Sequence, residues 1–311
     1  MRSLITGASG FAGRVLHAHL AESGDEVIAW SRAEGSPDIT QRDDVFAGMA
    51  TAEADVVYHL AAQSHVPTAW SDPITTLQVN IEGTQNVLDA AKSANAPRVI
   101  VISSAEIYGS VKAEELPITE DAPLRPSNPY AASKASADAL ALAAHLGGGL
   151  DVIRMRPFNH FGPGQSLSFV SSSFARRIAQ AARDNKPTID VGSLDVRRDF
   201  SDVRDVVRAY RMAAIYGEAG AAYNVCSGVD RSIEEIAEAF VKRSGADISF
   251  VPSPVLQRRV DTPVVVGSAE LLNTTTGWSP SISFDQSIDD IYAEAVMNLE
   301  PSTDLDSASG S

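Results

Sequence analysis

The chain has 311 residues, of which 44% are hydrophobic and 21% charged, and its formal net charge is −15. This length and composition predict one large globular domain or two lobes, and the acidic balance argues against nucleic acids and anionic membranes as partners. The single cysteine, Cys226, excludes an internal disulfide and a zinc site built on paired cysteines.

The N-terminal segment combines a short apolar strand, a glycine-rich turn and a helix. Residues 2–6 are predicted as a buried strand, and residues 14–21 carry apolar side chains at helical spacing. Between them, Gly7, Gly10 and Gly13 are spaced three residues apart. Glycines ahead of a helix N-terminus let the backbone approach a pyrophosphate, and the spacing is related to the dinucleotide-binding fingerprint. A tight strand-to-helix turn without a ligand also uses glycine, so this signal alone is modest.

Apolar strands then alternate with helical patterns through the first half of the chain. Further strands are predicted at 26–30, 56–60, 98–103 and 151–157, with helices at 75–94 and 129–146. This alternation predicts an α/β fold with a Rossmann-like doubly wound parallel sheet. Beyond Pro163, turn-rich segments separate helices at 174–183, 203–216 and 233–244, which predicts a smaller C-terminal substrate lobe.

The predicted domain boundaries follow from this change of pattern. Residues 1–160 are expected to bind a dinucleotide, together with a later crossover segment near 200–226. Residues 161–298 are expected to form mainly the substrate lobe, and the polar residues 299–311 a disordered tail. The chain enters its first strand at once and no apolar run reaches membrane length, so a cytoplasmic protein is expected.

Two further stretches carry candidate chemistry. Tyr130 and Lys134 share one face of a predicted helix, where the lysine is expected to lower the phenol's pKa and make it a usable acid or base. The same spacing also occurs on ordinary exposed helices. Ser104 and Glu106 follow a predicted strand, at the sheet edge where open α/β sheets bind ligands. A hydroxyl there can bind a substrate carbonyl, and a carboxylate can take a proton from a carbon atom.

These motifs, in this order, resemble the extended short-chain dehydrogenase/reductase family, which includes the NAD-dependent epimerases and dehydratases. The resemblance rests on TGASGFAG, on YHLAA at 58–62, on Asn80, on Ser104 and on the Tyr130–Lys134 pair, and it covers nearly the whole chain. The stretches SAEIYG, RPSNPYAASK, RPFNHFGPGQ, VRRDFSDVRD and YNVCSG further resemble the branch that modifies GDP-sugars.

The resemblance implies NADPH as cofactor, with NADH as the alternative. The residues that it assigns to the cofactor are Gly7, Gly10, Phe11, Ala12, Gly13, Arg32, Asp38, Ile39, Leu60, Ala61, Ala62, Asn80, Tyr130 and Lys134. Trp30, Ser31 and Arg32, at the end of the second strand, include no acid, whereas an NAD-preferring protein usually offers a carboxylate to the ribose there. Arg32 can instead pair with a 2′-phosphate, unless it is a solvated surface residue.

The resemblance also implies a sugar-nucleotide site, with no metal because the histidines lack ligand spacing. The residues that it assigns to the substrate are Ser104, Glu106, Asn159, Arg176, Arg198, Arg258 and Asp261. Guanidinium groups match phosphate oxygens in pairs, so Arg198 and Arg258 are expected to hold the diphosphate. The family usually has RPxE where this chain has RRVD, so the register between Arg258 and Arg259 stays open.

The implied activity is reduction of the C4 ketone of GDP-4-keto-6-deoxy-D-mannose to GDP-D-rhamnose. In it Tyr130 donates the proton, Ser104 polarises the carbonyl, and Lys134 tunes the tyrosine and binds the nicotinamide ribose. The short segment 31–38 cannot cover a recycled cofactor, which favours a reductase over a dehydratase.

Other activities stay open. Glu106 could serve as the C5 base of a GDP-mannose dehydratase or a bifunctional enzyme, a UDP-sugar 4-epimerase comes third, and an inactive cofactor-sensing regulator fourth. The helices at 75–94 and 129–146 resemble the four-helix dimer interface of the family, so a homodimer is expected.

Overall fold

The computed structural model describes residues 1–31, 35–256 and 262–299. Its strands, numbered in chain order, are β1 (Arg2–Thr6), β2 (Glu26–Trp30), β3 (Val56–His59), β4 (Arg98–Ile102), β5 (Val152–Pro157), β6 (Asn159–Phe161), β7 (Thr188–Val191), β8 (Arg197–Asp202), β9 (Ala222–Val225), β10 (Asp230–Ser232), β11 (Ser249–Pro252) and β12 (Val264–Val265). Its α-helices are α1 (Phe11–Glu22), α2 (Arg42–Ala52), α3 (Val66–Ser71), α4 (Pro73–Leu77), α5 (Gly83–Ser93), α6 (Pro129–Leu146), α7 (Val170–Arg183), α8 (Val203–Tyr216), α9 (Ile233–Ser244), α10 (Glu270–Thr276) and α11 (Phe284–Met297). Short 3-10 helices lie at Ala105–Tyr108, Ala113–Glu115 and Pro254–Leu256.

The larger lobe is built on a six-stranded sheet in the order β2-β1-β3-β4-β5-β9, with every pairing parallel. Central parallel strands are covered on both faces, which explains why their sequences are continuous apolar runs. Helices α1 and α8 cover one face with side chains such as Leu16 and Val206. Helices α2, α5 and α6 cover the other with Val45, Val87 and Ala141. This is the doubly wound Rossmann-like sheet that the alternating pattern predicts.

The described part of the smaller lobe contains short sheets that are packed against the helices α7, α9 and α11. Strands β10, β8 and β12 lie side by side, β6 also pairs with β8, and β7 pairs with β11. Helices α7, α9 and α11 enclose an apolar core that includes Phe174, Phe240 and Ile288. After β8 the chain returns through α8 to β9 at the edge of the large sheet. The chain therefore crosses between the lobes more than once.

The helix boundaries follow local signals where those signals are strong. Helix α6 spans Pro129–Leu146 as predicted, because Asn128 caps it by accepting a hydrogen bond from the Ala131 N–H at 2.8 Å. The helix predicted at 174–183 begins earlier, at Val170. None of the helices in the described ranges is long and apolar enough to cross a membrane.

The segment predicted as one helix over 75–94 is interrupted by a wide turn. Between α4 and α5 the backbone forms a π-helix over Gln78–Glu82. Such turns are rare and occur frequently at functional sites. Here the wide turn carries Asn80, which is buried.

Candidate active site

A cavity of about 1040 Å³ opens at the carboxyl edge of the large sheet. Its walls come from the turns after β1, β3, β4 and β5 and from residues 157–171 that lead into the smaller lobe. The strand order reverses between β1 and β3, and open α/β sheets bind ligands at such a switch point. The volume lies at the upper end of the range of ligand pockets, so the cavity suits large ligands.

The glycine-rich turn after β1 forms one wall of this cavity. Gly7 has φ +76°, and a Cβ there would lie 2.7 Å from the Ala61 nitrogen. A Cβ on Gly13 would lie 2.2 Å from the Gly7 oxygen. Gly10 precedes α1 and has no side chain to cap the first N–H groups of the helix. These groups, next to the cavity, form an anion site of the kind that holds a pyrophosphate.

Most of the predicted cofactor residues meet along this wall and its neighbours. Those that line the cavity are Gly7, Gly10, Phe11, Ala12, Gly13, Asp38, Ile39, Leu60, Ala61, Ala62, Tyr130 and Lys134. The Asp38 carboxylate accepts hydrogen bonds from the N–H and hydroxyl of Thr40, both at 2.9 Å, and so fixes its own turn. Asn80 lies behind the wall, and Arg32 lies outside the described residues.

Asn80 ties the wide turn of the helix to the predicted catalytic helix. Its amide donates to the Gln63 carbonyl at 2.9 Å and to the Ser133 hydroxyl at 2.8 Å, and its Oδ1 accepts from the Gln63 N–H at 2.8 Å. Ser133 donates in turn to the Tyr130 carbonyl at 2.7 Å. Asn80 therefore acts on the helix that presents Tyr130 and Lys134, without contacting the cavity.

His59 extends this network to the glycine-rich turn. Its Nδ1 lies 2.8 Å from Thr6 Oγ1 and its Nε2 lies 3.0 Å from Thr84 Oγ1. Thr84 donates its hydroxyl hydrogen to the Asn80 carbonyl, so it can only accept from the ring. The ring is therefore protonated at Nε2 and accepts from Thr6 at Nδ1. Burial, and then the charge of Lys134, lower the pKa of His59 to about 3, so the ring is neutral. The sequence shows only a histidine at the end of a strand, because its partners are distant in the chain.

Ser104, Tyr130 and Lys134 line the cavity together, although each is buried. Ser104 Oγ accepts from the Glu106 N–H at 3.2 Å and so caps the short helix at Ala105–Tyr108. The Lys134 ammonium donates to the Ile102 carbonyl. Burial lowers the pKa of Lys134 to about 8, against the opposing charge of Asp138.

The expected lowering of the Tyr130 pKa is wrong in direction. Burial raises the pKa of Tyr130 to about 12, a hydrogen bond with Ser104 opposes the rise, and the charge of Glu106 adds to it. The cost of placing a phenolate in the protein interior outweighs the favourable contacts. Tyr130 therefore holds its proton at neutral pH.

Helix α6, which carries Tyr130 and Lys134, is anchored to β5 by a buried ion-pair cluster. Asp138 accepts from Arg154 at 2.8 Å and from Arg156 at 3.0 Å, and all three side chains are largely buried. The two arginines outweigh burial and lower the pKa of Asp138. Asp138 lies one helical turn beyond Lys134, and at this point the cluster holds α6 against the sheet.

The predicted substrate residues are only partly brought together. Glu106 and Asn159 line the cavity, and Glu106 Oε2 accepts from Asn128 at 3.3 Å. Arg198, in β8, donates to the Arg197 carbonyl at 2.8 Å and does not line the cavity. Burial lowers the pKa of Arg198, and the charge of Glu106 opposes that change.

One predicted substrate residue, Arg176, lies elsewhere. Arg176 lines a separate cavity of about 280 Å³ beside α11 and donates to the Asn298 carbonyl. Arg258 and Asp261 lie outside the described residues, as does the predicted tail beyond residue 299. Within the described ranges, no group of three or more His, Cys, Asp or Glu side chains could hold a metal ion.

Arg14 joins the glycine-rich turn to the smaller lobe. Its guanidinium donates to the Ser9 carbonyl at 2.7 Å and to the Gly164 carbonyl at 2.9 Å. The Gly164 N–H donates to Glu294 of α11 at 2.7 Å. These hydrogen bonds hold the loop before Gln165 against the glycine-rich turn. Gln165 itself lines the cavity. Nothing in the sequence pattern indicates these hydrogen bonds, because Gly164 is distant in the chain.

Comparison with known proteins identifies the group to which this architecture belongs. The NAD dependent epimerase/dehydratase family matches residues 3–226. The chain belongs to this family. It is 40% identical to GDP-6-deoxy-D-mannose reductase from Pseudomonas aeruginosa over 297 residues, which cover 94% of this chain and 96% of the relative. It is 35% identical to dTDP-glucose 4,6-dehydratase from Streptomyces griseus over 231 residues, 74% of this chain and 68% of the relative.

Solved structures agree with the fold. RMD from Pseudomonas aeruginosa complexed with NADPH matches with a TM-score of 0.89 and 38% identity, covering 96% of this chain and all of that chain. UDP-glucose 4-epimerase from Thermus thermophilus in complex with NAD matches with a TM-score of 0.83 and 27% identity, again over 96% of this chain and all of the other. The two-lobed architecture is therefore that of the family throughout the matched region.

Proposed function

We propose that this protein reduces the C4 ketone of GDP-4-keto-6-deoxy-D-mannose to GDP-D-rhamnose with NADPH, and less efficiently with NADH. The observation that carries the proposal is the 40% identity to a GDP-6-deoxy-D-mannose reductase over nearly the full length of both chains. The joint position of Ser104, Tyr130 and Lys134 on one cavity supports it, since these residue types suit ketone reduction.

The residues present fit a dinucleotide. Side chains at Gly7 and Gly13 would collide with neighbouring backbone, which leaves the turn open to close approach by a phosphate. When bound, the cofactor supplies the hydride for the ketone carbon. Arg32, outside the described residues, is proposed to pair with the 2′-phosphate and to favour NADPH over NADH.

The side chains around the reacting ketone have complementary tasks. Ser104 Oγ accepts from the Glu106 N–H and hydrogen bonds to Tyr130, and when the substrate is bound its hydrogen is proposed to donate to the ketone oxygen. Tyr130, with its pKa of about 12, carries a proton at neutral pH and donates it to the developing alkoxide. The Lys134 ammonium, held by the Ile102 carbonyl, stabilises the phenolate that remains and binds the nicotinamide ribose.

The sugar nucleotide is proposed to extend from this centre toward the smaller lobe. Glu106 and Asn159 would contact the hexose, and Arg198 the diphosphate. Arg258 and Asp261 are proposed for the diphosphate and the nucleoside. Arg176 belongs to the proposal only if the substrate reaches its separate cavity.

Dehydration of GDP-mannose is the second candidate, favoured by the Glu106 carboxylate at the cavity. Elimination of water requires a base at C5 and an acid at the departing hydroxyl. Of the described residues that line the cavity, Asp38 is the other acid, and it binds Thr40 near the cofactor wall. Among the described lining residues, Glu106 is therefore the one carboxylate without such a partner near the cofactor wall, and the identity to a reductase makes reduction the better-supported reaction.

Two substrate tests separate these reactions. With GDP-mannose alone, the purified protein should form no 4-keto sugar. With the 4-keto-6-deoxy sugar nucleotide and NADPH, it should oxidise one NADPH per sugar and form GDP-D-rhamnose. A 4-keto product from GDP-mannose without added reductant would overturn the proposal and assign Glu106 as the C5 base.

We also propose a cytoplasmic homodimer. Its subunits would pair through α6 and through the helical segment 75–94, which contains α5. The support is the resemblance of these two helices to the dimer interface of the family. Light scattering tests it, and a monomer at micromolar concentration would contradict it.

A further inference from the structure

Two buried hydroxyls at the cavity lack hydrogen-bond partners. Ser103, directly after β4, is 2% exposed, and Tyr210, in α8, is 0% exposed. Both residues line the cavity, and neither Ser103 Oγ nor the Tyr210 hydroxyl has a partner among residues 1–31, 35–256 and 262–299. Burying a polar group without a hydrogen-bond partner costs free energy, so we expect each hydroxyl to bind a group of a ligand.

Both hydroxyls lie at the reactive end of the cavity. Ser103 precedes Ser104 and its backbone N–H bonds to the Met155 carbonyl at 2.7 Å, which places it at the carboxyl end of the large sheet. Burial, and then the nearby Tyr130, raise the pKa of Tyr210, so its hydroxyl is neutral and close to the predicted proton donor. Tyr210 reaches this position from α8, through the apolar core on that face of the sheet.

The bound group at this end must carry polar atoms that suit two neutral hydroxyls. A carboxamide offers an N–H donor and a C=O acceptor, and a hydroxyl can accept the first and donate to the second. The nicotinamide ring carries such a group, and its reacting carbon has to lie near Tyr130 for the proposed reduction. Asp38 and Ile39, which the resemblance assigns to the cofactor, line the cavity after the edge strand β2, three strands away from β4, and this side is proposed to take the adenine half.

We propose that Ser103 and Tyr210 bind the carboxamide of the cofactor's nicotinamide, and so orient the ring for hydride transfer. This inference rests on the proposed use of NADPH. It places a direct cofactor contact on α8, part of the crossover segment near 200–226 that is expected to belong with the dinucleotide-binding residues.

The test compares Tyr210→Phe and Ser103→Ala with a matched control, Tyr58→Phe. Tyr58 is also fully buried and its hydroxyl also lacks a partner, but it does not line the cavity. Each protein is titrated with NADPH, followed by nucleotide fluorescence, and with adenosine 2′,5′-bisphosphate, which lacks the nicotinamide half. Loss of one neutral hydrogen bond should weaken NADPH binding about three- to tenfold. The bisphosphate should bind all four proteins equally, and Tyr58→Phe should bind NADPH as the wild type does.

Thermal unfolding of the ligand-free proteins supplies a second readout. Removing an unpaired hydroxyl removes a buried polar group without breaking a hydrogen bond, so Tyr210→Phe should unfold no earlier than the wild type. Lower thermal stability combined with unchanged NADPH affinity would show that the hydroxyl serves a buried water, and would overturn the inference. Equal weakening of NADPH and of the bisphosphate would overturn it too, since the effect would then not be specific to nicotinamide. If the wild type binds NADPH but does not reduce the keto sugar, the proposed function fails while this comparison still decides the role of the hydroxyls.

Discussion

His59 should make the stability of the protein fall as the solution becomes acidic. Its ring is fully buried between Thr6 and Thr84, and its pKa in the folded protein is about 3. In the unfolded chain the pKa returns to about 6.5. Between these two values the unfolded state binds a proton that the folded state does not bind. Stability from this group is therefore complete above pH 6.5 and is lost progressively as the pH falls toward 3.

The size of the effect follows from the two pKa values. At pH 5 the unfolded ring is about 1.5 pH units below its pKa, whereas the folded ring is still neutral. The difference corresponds to about 2 kcal/mol of unfolding free energy between pH 8 and pH 5. Replacing His59 by glutamine removes the titration, whatever it does to stability at a single pH.

Urea unfolding followed by tryptophan fluorescence at pH 8 and pH 5 measures this difference. Between pH 8 and pH 5, the unfolding free energy of the wild type should fall by about 2 kcal/mol more than that of His59→Gln. The control His17→Gln, which alters an exposed histidine, should behave as the wild type does. Nitrogen-15 NMR should show the His59 ring protonated at Nε2 alone down to pH 5. Equal pH dependence of the wild type and His59→Gln, or a doubly protonated ring at pH 5, would refute the reasoning.

Three further substitutions test separate parts of the site. Tyr130→Phe should abolish turnover of the keto sugar while NADPH affinity, measured by fluorescence, stays nearly unchanged; substantial remaining turnover would remove Tyr130 from its role. Arg14→Ala should raise the KM for the sugar nucleotide by roughly fivefold with little change in kcat, because the loop at the smaller lobe loses its hydrogen bond to Arg14. The control Arg42→Ala, which breaks an exposed ion pair with Asp89, should leave the KM unchanged. Equal effects of the two substitutions on the KM would refute a role for Arg14 in holding this loop. Asp138→Asn should lower the unfolding free energy by about 3–5 kcal/mol, since two buried arginines lose their counter-charge. The control Asp89→Asn, in a more exposed ion pair, should lower it by under about 1 kcal/mol. Similar losses of unfolding free energy for both variants in urea would contradict this prediction.

Local signals in the sequence predict the elements that position the site. The Asn–Pro pair at the start of α6 and the glycines after β1 each depend on neighbouring residues, so the pattern alone indicates where the helix and the turn begin. The large parallel sheet is predictable for the same reason, because strands covered on both faces have continuous apolar sequences. The short strands of the smaller lobe, such as β10 and β12, are too brief for such a pattern.

Features that depend on distant residues are not predictable in this way. The hydrogen bonds of His59 join residues that are 53 and 25 positions away in the chain. The direction of the Tyr130 pKa depends on how completely the folded protein excludes water from the phenol, which the Tyr–Lys spacing does not report. The partnerless hydroxyl of Tyr210 belongs to the same class, because a tyrosine within a helix is ordinarily a packing residue.

The wide turn at Gln78–Glu82 has a consequence for changes in chain length. A turn of this kind accommodates one extra residue while the helix before it and the helix after it keep their common phase. Loss of one residue from the turn would therefore restore the regular helical repeat and leave the buried faces of α4 and α5 where they are. It would remove the bulge that carries Asn80 toward Ser133. The support that Asn80 gives to α6 can thus be gained or lost through a single-residue insertion or deletion, without rearrangement of the sheet or of either lobe.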